Sequence, residues 1–249
     1  TDTRTRLYRH THTPVQIHAH ACTDTREETS DAMFQYAWEN GVTYYDTAPM
    51  YGHGLSELRT GHSLRWKNRN DFVLSSKVGR ILKPACKSNI DYAPWTNAGR
   101  FAMNFDYSYD GTMRSFEDSL QRLNLERMDI CFIHDIDVFT RGNEQPEAFK
   151  QAMNGAWKAL SNLRDQGVLK AIGVGVNEWE VCYEALEQRD FDCFLLAGRY
   201  TLLEQEPLNK FLPLCEKRGA AVVVGGGFNS GILATGASKN AKYNYAPAP

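Results

Sequence analysis

The stretch MDICFIHD at residues 128–135 carries the pattern that decides the fold. An apolar run ends in a polar loop, and a helical segment follows. The pattern occurs six times along the chain, at 42–46, 72–77, 128–134, 169–176, 191–198 and 220–227, and a weak seventh run, VQIHAHA, lies at 15–21. Strands that alternate with helices form βαβ units and a parallel sheet. Near-continuous apolar strands also fit a sheet that is covered on both faces.

Helical segments are predicted between these runs at 27–41, 111–125, 149–167 and 208–219. Gly41 stands where a glycine commonly caps a helix C-terminus. Pro213 lies inside the last of these segments and is expected to kink it. The pattern predicts a (β/α)8 barrel of the TIM type or, as the alternative, an open doubly wound α/β sheet. No glycine-rich fingerprint follows the first strand, which disfavours the dinucleotide-binding form of the open sheet.

Composition sets limits on the class of protein. The chain has 249 residues, 42% of them apolar and 12% aromatic, which is enough for a packed core, and we expect one domain over 1–249. The formal net charge is −2, so no basic excess favours nucleic-acid binding. No apolar run reaches the length of a membrane span, and no membrane partner is expected. The six cysteines form no CxxC pair and are interpreted as buried thiols of a reduced, cytoplasmic protein.

Titratable side chains stand at the ends of three predicted strands. Asp46 ends one strand, Lys77 ends the next, and His134 ends the third. Tyr51 follows five residues after Asp46. In a barrel the C-terminal strand ends form the active face, so these four groups are expected to converge. A tyrosine has an ordinary pKa of about 10. A buried ammonium beside it favours the phenolate, and the phenol then becomes a usable acid and base.

Four histidines near the N-terminus raise the possibility of a metal site. They form two HxH pairs, His10 with His12 and His18 with His20. An HxH pair on a strand places both rings on one face. No nearby cysteine or carboxylate completes a ligand set, so no metal is predicted.

The motifs DTAPMYGHGLSE, FVLSSKVGR, MDICFIHD and AIGVGVNEWE together resemble the aldo-keto reductase family, and the resemblance runs from about residue 31 to 236. It implies a catalytic tetrad of Asp46, Tyr51, Lys77 and His134. The phrases FDYSYDGTMRSFEDSLQRLNL and FLLAGRYTLLEQ are similar to one branch in particular. That branch holds sugar 1-dehydrogenases of the D-threo-aldose, L-fucose and L-galactose types, and pyridoxal 4-dehydrogenase.

The resemblance implies an enzyme that passes hydride between NAD or NADP and a sugar hemiacetal or small aldehyde, with Tyr51 as acid and base. Asn177 matches the residue that binds the nicotinamide carboxamide. A glycine-rich loop is expected to cradle the pyrophosphate, because glycines allow a close backbone approach. Its residues are Gly225, Gly226, Gly227, Phe228, Asn229, Ser230 and Gly231. From its place in the long segment after Lys77, Trp95 is expected to wall the substrate pocket or simply to cover the barrel mouth. Arg199 follows the sixth strand and is expected to reach substrate or cofactor, with a surface ion pair as the alternative.

The sequence departs from the family pattern at both ends. The first strand is atypical, because VQIHAHACTDT lacks the glycine of the family's first turn. The family's nicotinamide-stacking aromatic corresponds to Gly225. Only residues 228–249 follow the last glycine triplet, so we expect the last βα unit of the barrel to be missing. The chain also starts without Met, which is expected of a fragment or a processed form.

Three other functions stay open at this point. The first is a general aldehyde or ketone reductase that runs toward the alcohol. The second is a non-catalytic barrel that binds a nucleotide or a protein partner. The third is a degraded or alternatively spliced product that folds poorly. The partner expected for the enzyme is a small molecule, a sugar or an aldehyde, and the oligomeric state is expected to be a monomer or a homodimer.

Overall fold

The structure is a computed structural model that describes residues 17–18, 26–86, 90–95 and 98–247. Cys22 and the histidines at 10, 12 and 20 lie outside the described residues, and of His18 only the backbone is described. The predictions made for these side chains therefore stay predictions.

The strands of the described chain are β1 (Ile17–His18), β2 (Tyr44–Asp46), β3 (Val73–Val78), β4 (Arg80–Pro84), β5 (Phe101–Phe105), β6 (Ile130–His134), β7 (Ala171–Val176), β8 (Cys193–Ala197), β9 (Ala221–Gly225), β10 (Lys242–Tyr243) and β11 (Ala246–Pro247). Each of the seven predicted strand runs contains one of them. The runs were apolar because the strands β2, β6 and β7 are buried along their whole length.

The α-helices are α1 (Glu27–Glu39), α2 (Leu55–Leu64), α3 (Tyr109–Leu123), α4 (Val138–Arg141), α5 (Gln145–Gln151), α6 (Trp157–Asp165), α7 (Trp179–Gln188), α8 (Phe211–Arg218) and α9 (Ile232–Thr235). Gly41 follows α1 with φ +79°, as its predicted role as a cap requires. The Ser108 hydroxyl caps α3 by accepting a hydrogen bond from the Gly111 N–H at 3.1 Å.

Seven strands are hydrogen-bonded in the order β1–β2–β3–β6–β7–β8–β9. The pairs β1–β2, β2–β3, β7–β8 and β8–β9 are parallel. Strands that neighbour one another in chain order, with helices between them, have the connectivity of a (β/α)8 barrel. The open doubly wound alternative does not fit, because its strand order reverses direction. The described chain supplies seven of the eight strands of such a barrel.

Contacts divide the chain into two compact units. The first unit holds residues 1–132 and 154–172, and the second holds 133–153 and 173–249. The prediction of a single domain over 1–249 stays a prediction. No helix among the described residues has the length and apolar character needed to cross a membrane.

Two predicted helices differ in the structure. The segment 149–167 contains a π-helical turn at Ala152–Ala156 between α5 and α6. Gly155 lies in this turn, where a Cβ atom would stand 2.4 Å from the carbonyl oxygen of Tyr107, so the backbones meet closely there. The predicted segment 208–219 is interrupted at the non-helical Lys210, which follows a 3₁₀ turn at Glu206–Asn209, and α8 begins only at Phe211. Pro213 is the third residue of α8, and in the first turn its missing N–H would have no helical partner.

An antiparallel hairpin in the first unit was not predicted. Strands β4 and β5 pair from Arg80 with Phe105 to Pro84 with Phe101. The hairpin follows β3 directly. We call the segment from β4 to β5 the insertion; it lies between β3 and α3 and carries Trp95. The signal for a strand was weak here, because β5 is only partly buried.

The cysteines are mostly as expected. Cys131, Cys182, Cys193 and Cys215 are buried. Burial raises the pKa of the Cys215 thiol to about 12, and it also raises the pKa of the Cys131 thiol. The interpretation of Cys86 as a buried thiol is wrong. It lies exposed just after β4, whose last two residues are exposed as well.

Candidate active site

Asp46 and Lys77 form a buried ion pair in the first unit. Asp46 is the last residue of β2, and Lys77 lies near the end of the adjacent β3. The Lys77 Nζ donates hydrogen bonds to Asp46 Oδ2 at 2.6 Å and to the Thr47 carbonyl oxygen at 2.8 Å. Both side chains are almost completely inaccessible, at 1% and 0% exposure. A buried ion pair is costly to desolvate, so its presence at strand ends points to a functional site.

Tyr51 completes this cluster. Its side chain is 5% exposed, and the Lys77 Nζ lies 4.7 Å from the centre of its ring. Burial alone would lower the pKa of Lys77. The charges of Asp46 and Tyr51 and hydrogen bonds to both outweigh burial, so the pKa of Lys77 lies above its ordinary value. The lysine is therefore held as an ammonium against the phenol.

A serine fixes the other carboxylate oxygen of Asp46. The Ser75 hydroxyl donates to Asp46 Oδ1 at 2.5 Å and also contacts the Tyr44 hydroxyl at 3.0 Å. The register of the β2–β3 pair places Asp46 and Ser75 side by side, so the serine follows from strand pairing. The sequence analysis missed it because a serine inside an apolar run carries no chemical signal by itself.

Glu57 is a second residue that the sequence analysis missed. It lies in the first turn of α2 and is fully buried. Its Oε1 accepts a hydrogen bond from the Ser76 hydroxyl at 2.7 Å, and its Oε2 accepts one from Arg122 Nε at 2.6 Å. The hydrogen bond from Ser76 joins α2 to the residue that precedes Lys77 in β3. The available signal was the carboxylate inside the motif DTAPMYGHGLSE.

Trp95 packs directly on Tyr51, with ring centres 5.9 Å apart and planes tilted by 54°. The indole is 5% exposed and shares an apolar cluster with Ala48 and Tyr51. Trp95 therefore lies beside the tyrosine and supports its ring, and its role as a substrate wall stays a prediction.

His134 ends β6 and belongs to the second unit. It is 7% exposed, and its Nε2 lies 3.5 Å from Asp135 Oδ1. Asp135 has φ +55°, and its N–H donates to the Gly175 carbonyl oxygen at 3.1 Å. The histidine thus stands at a strand end, the position that the sequence analysis assigned to it.

Asn177 follows β7 directly, also in the second unit. The buried Asp137 carboxylate accepts a hydrogen bond from the Asn177 N–H at 2.8 Å, which fixes the backbone at the strand end. The Tyr245 hydroxyl donates to Asn177 Oδ1 at 3.2 Å. This bond leaves the amide nitrogen of Asn177 as the group that can donate to a ligand carbonyl.

The glycine-rich loop after β9 consists of one buried glycine and a mostly exposed turn. Gly225 is buried, whereas Gly226, Gly227, Phe228 and Ser230 are exposed. A Cβ atom on Gly227 would meet no protein atom within 4 Å. Left-handed backbone occurs in the turn at Gly226, Asn229, Ser230 and Gly231. Within the turn, the N–H groups of Asn229 and Gly231 donate to the carbonyl oxygens of Gly226 and Phe228.

Asn229 anchors this turn instead of facing outward. It is completely buried, and its amide donates to the Gly198 carbonyl oxygen at 3.1 Å. The Thr201 hydroxyl donates to Asn229 Oδ1. The Ser230 hydroxyl accepts a hydrogen bond from the Tyr245 N–H at 2.8 Å. Asn229 is thus placed as a support of the loop.

Arg199 pairs with Glu204, and its NH1 lies 3.3 Å from Glu204 Oε1. Burial would raise the pKa of Glu204, but hydrogen bonds from Tyr243 and Asn244 and the charge of Arg199 hold it below its ordinary value. Of the two alternatives for Arg199, the geometry displays the ion pair. The described residues contain no group of three or more histidines, cysteines or carboxylates that would hold a metal ion.

Known proteins match both the sequence and the fold. The sequence description of the Aldo/keto reductase family matches residues 16–248. Pyridoxal 4-dehydrogenase of Microbacterium luteolum is 44% identical over 88% of this chain and 67% of its own length. D-threo-aldose 1-dehydrogenase of a Pseudomonas species is 35% identical over 88% of this chain and 65% of its own length. The chain thus spans about two thirds of the length of these relatives.

Solved structures support the same fold. The holo form of aldo-keto reductase AKR11C1 from Bacillus halodurans matches with a TM-score of 0.63 at 24% identity, over 90% of this chain and 66% of that one. Glycerol dehydrogenase AKR11B4 from Gluconobacter oxydans matches with a TM-score of 0.64 at 22% identity, over 88% and 60%. The fold is therefore the α/β barrel type that the strand pattern predicted. Because the family description covers nearly the whole sequence and two relatives exceed 30% identity, the chain belongs to the aldo/keto reductase family.

Proposed function

We propose that this chain carries the catalytic centre of an NAD- or NADP-dependent dehydrogenase that oxidises a sugar hemiacetal to a lactone or acts on a small aldehyde. The observation that carries the proposal is the buried Lys77 ammonium, held by Asp46 at 2.6 Å and lying 4.7 Å from the Tyr51 ring centre. An ammonium in this position stabilises the phenolate form of the neighbouring tyrosine. The relatives named as dehydrogenases of D-threo-aldose and pyridoxal support the substrate class.

Tyr51 is the acid and base of the proposed reaction. As phenolate, Tyr51 takes the proton of the substrate hydroxyl. The carbon that bears this hydroxyl gives up a hydride to the oxidised nicotinamide. The Lys77 ammonium and the Asp46 carboxylate stabilise the phenolate. The phenol formed in the reaction releases the proton it took from the substrate to solvent before the next turnover. Proton transfer by a positioned side chain contributes about 10²–10⁴-fold to a rate. His134, at the end of its own strand, is proposed to hold the substrate oxygen by a hydrogen bond.

The nicotinamide dinucleotide supplies the hydride acceptor when it is bound. Asn177 is proposed to bind the carboxamide through its amide nitrogen, whose orientation the Tyr245 hydroxyl supports. The exposed backbone at Gly226 and Gly227 is proposed to approach the pyrophosphate. Arg199 is proposed to assist this site only through Glu204, to which it is paired.

The test is the absorbance of reduced nicotinamide at about 340 nm, followed after mixing the protein with NAD⁺ or NADP⁺ and one candidate substrate. The substrates are L-fucose, L-galactose, D-arabinose and pyridoxal. Tyr51→Phe keeps the ring beside Trp95 and removes only the hydroxyl, so it is the matched control. We expect turnover in the unaltered chain and a loss of about 10²–10⁴-fold in the variant.

The outcomes separate the alternatives. If Tyr51→Phe retains most of the activity, the acid–base role is wrong. Faster turnover of aldehydes with the reduced cofactor, at matched pH, favours a general carbonyl reductase. Tight nucleotide binding without turnover in a well-folded sample favours a non-catalytic barrel. Broad thermal unfolding with dye binding favours a poorly folded product.

A further inference from the structure

The turn that carries Tyr51 contains a histidine with left-handed backbone. Gly52, His53 and Gly54 follow one another with φ of +61°, +53° and +91°. A positive φ is uncommon outside glycine, although histidine adopts it more often than most residues. His53 is also 1% exposed, so its ring is enclosed by protein. The contacts of this enclosed ring therefore bear on how the turn is held.

Two contacts of the His53 ring with described residues join it to the segment from β4 to β5. Its Nδ1 lies 2.6 Å from the carbonyl oxygen of Phe101, the first residue of β5. A carbonyl oxygen only accepts hydrogen bonds, so the proton must lie on Nδ1. The ring also packs against Tyr92, with centres 5.5 Å apart. No described residue makes a hydrogen bond with the other ring nitrogen, Nε2. Both contacts thus attach the Tyr51 turn to the insertion that carries Trp95.

The backbone continues the same attachment. The Gly99 N–H donates to the Gly52 carbonyl oxygen at 2.8 Å. A Cβ atom on Gly99 would lie 2.5 Å from the His53 carbonyl oxygen, so the two segments touch at backbone distance. The attachment points at Tyr92, Gly99 and Phe101 lie on both sides of Trp95 in the chain. Fixing them fixes where Trp95 lies.

Trp95 in turn limits the Tyr51 ring. The indole packs against that ring, and the Lys77 ammonium lies 4.7 Å from the ring centre. The phenol can keep its direction relative to the ammonium only while both neighbours stay in place. Displacing the insertion would remove one of them without touching Lys77 or Asp46.

We infer that His53 is a positioning residue, which ties the segment that carries Trp95 to the turn that carries Tyr51 and so holds the Tyr51 ring against the Lys77 ammonium. The inference rests on the proposed function for its effect on turnover. The attachment itself is independent of turnover, and it is tested without it.

The experiment compares His53→Leu with His53→Asn. Leucine has a branched side chain of similar size but cannot donate to the Phe101 carbonyl oxygen. Asparagine places an amide N–H where Nδ1 stands and tolerates the left-handed backbone. Tyr92→Leu removes the other contact from the opposite side and leaves the turn unchanged, so it covers the case in which His53→Leu fails to fold. Thermal unfolding of each variant verifies folding.

The first readout is the nuclear magnetic resonance signal of tyrosines labelled with ¹³C at Cζ, with the Tyr51 signal identified by its absence in Tyr51→Phe. We expect His53→Leu and Tyr92→Leu to shift or broaden the Tyr51 signal, and His53→Asn to leave it in place. The second readout is turnover. We expect kcat to fall by about tenfold in the two leucine variants, below the 10²-fold that a misplacement of 1 Å can cost. The KM for the cofactor stays unchanged, and asparagine restores kcat.

An unchanged Tyr51 signal in folded leucine variants overturns the inference, even if Tyr51→Phe abolishes activity. A shifted signal in a chain without turnover supports the positioning role and contradicts the proposed function. If asparagine fails to restore the signal, the hydrogen bond to Phe101 is not the contact that matters, and the inference is overturned as stated.

Discussion

Two ion pairs, one in each unit, differ in exposure. In the first unit, the ion pair of Asp46 with Lys77 is enclosed, with side-chain exposures of 0% and 1%. In the second, Arg199 and Glu204 pair with exposures of 29% and 14%, beside the exposed loop that begins at Gly226. Enclosed charges interact strongly because little solvent screens them, whereas surface pairs contribute little. The enclosed pair is expected to hold its groups in one geometry, whereas the partly exposed pair is expected to be rearranged at little cost in free energy.

The largest effect is expected for Lys77→Met. This change leaves the Asp46 carboxylate buried without its partner, and breaking a buried pair costs about 3–5 kcal/mol of unfolding free energy. Urea denaturation measures it. The double variant with Asp46→Asn removes both charges and is expected to recover a substantial part of the loss.

The matched control lies in the second unit. Arg199→Met breaks the partly exposed pair with Glu204, for which about 0–1 kcal/mol is expected. Equal losses for Lys77→Met and Arg199→Met would contradict the contrast between enclosed and surface charge.

A smaller effect is expected for Asp129→Asn, and it depends on pH. Asp129 is buried and binds Lys170 at 2.7 Å and Arg69 at 2.5 Å. Burial would raise the pKa of Asp129, but hydrogen bonds from Lys170, from the Leu74 N–H and from Arg69 hold it below its ordinary value. Its stabilisation is therefore present above the unfolded pKa and is lost as pH falls through the lower folded pKa.

The variant is expected to lose about 1.5–3 kcal/mol at neutral pH, the range for hydrogen bonds to charged groups. The difference from the unaltered chain shrinks as pH falls below about 3.9, the ordinary aspartate pKa. Urea denaturation at a series of pH values measures this. A difference that stays constant down to the acid transition would show that the carboxylate charge contributes nothing.

The smallest effect on stability is expected for Gly227→Ala. An added Cβ would meet no protein atom there, so the unfolding free energy should change by less than about 0.5 kcal/mol. If the loop approaches the pyrophosphate, the dissociation constant for the dinucleotide rises nonetheless, which fluorescence titration measures. Unchanged affinity would remove Gly227 from the proposed cofactor site.

Gly61→Ala is the contrasting change in the first unit. An added Cβ would lie 1.9 Å from the Leu123 carbonyl oxygen, because α2 and α3 meet at this glycine. Overpacking of this kind costs about 1–3 kcal/mol. The two alanine substitutions together separate a glycine required by packing from one available to a ligand.

The alternation of apolar runs and helical segments determined the strand positions and the fold class, because a buried parallel strand must be apolar along its length. The motifs also indicated which titratable residues of the first unit come together. Asp46, Tyr51 and Lys77 come together as predicted, because strand pairing and one tight turn place them side by side.

Only the tertiary structure decided which polar residues support these groups. Ser75 binds Asp46, Glu57 ties α2 to the strand of Lys77, and His53 fastens the insertion. Each of these contacts joins residues at least 19 positions apart in the chain. Local sequence patterns do not reveal contacts between residues so far apart in the chain. Such contacts arise from the pairing of strands and the packing of helices. The same reason explains why the exposed Cys86, the hairpin and the π-helical turn differed from expectation: each depends on what lies against the segment rather than on the segment itself.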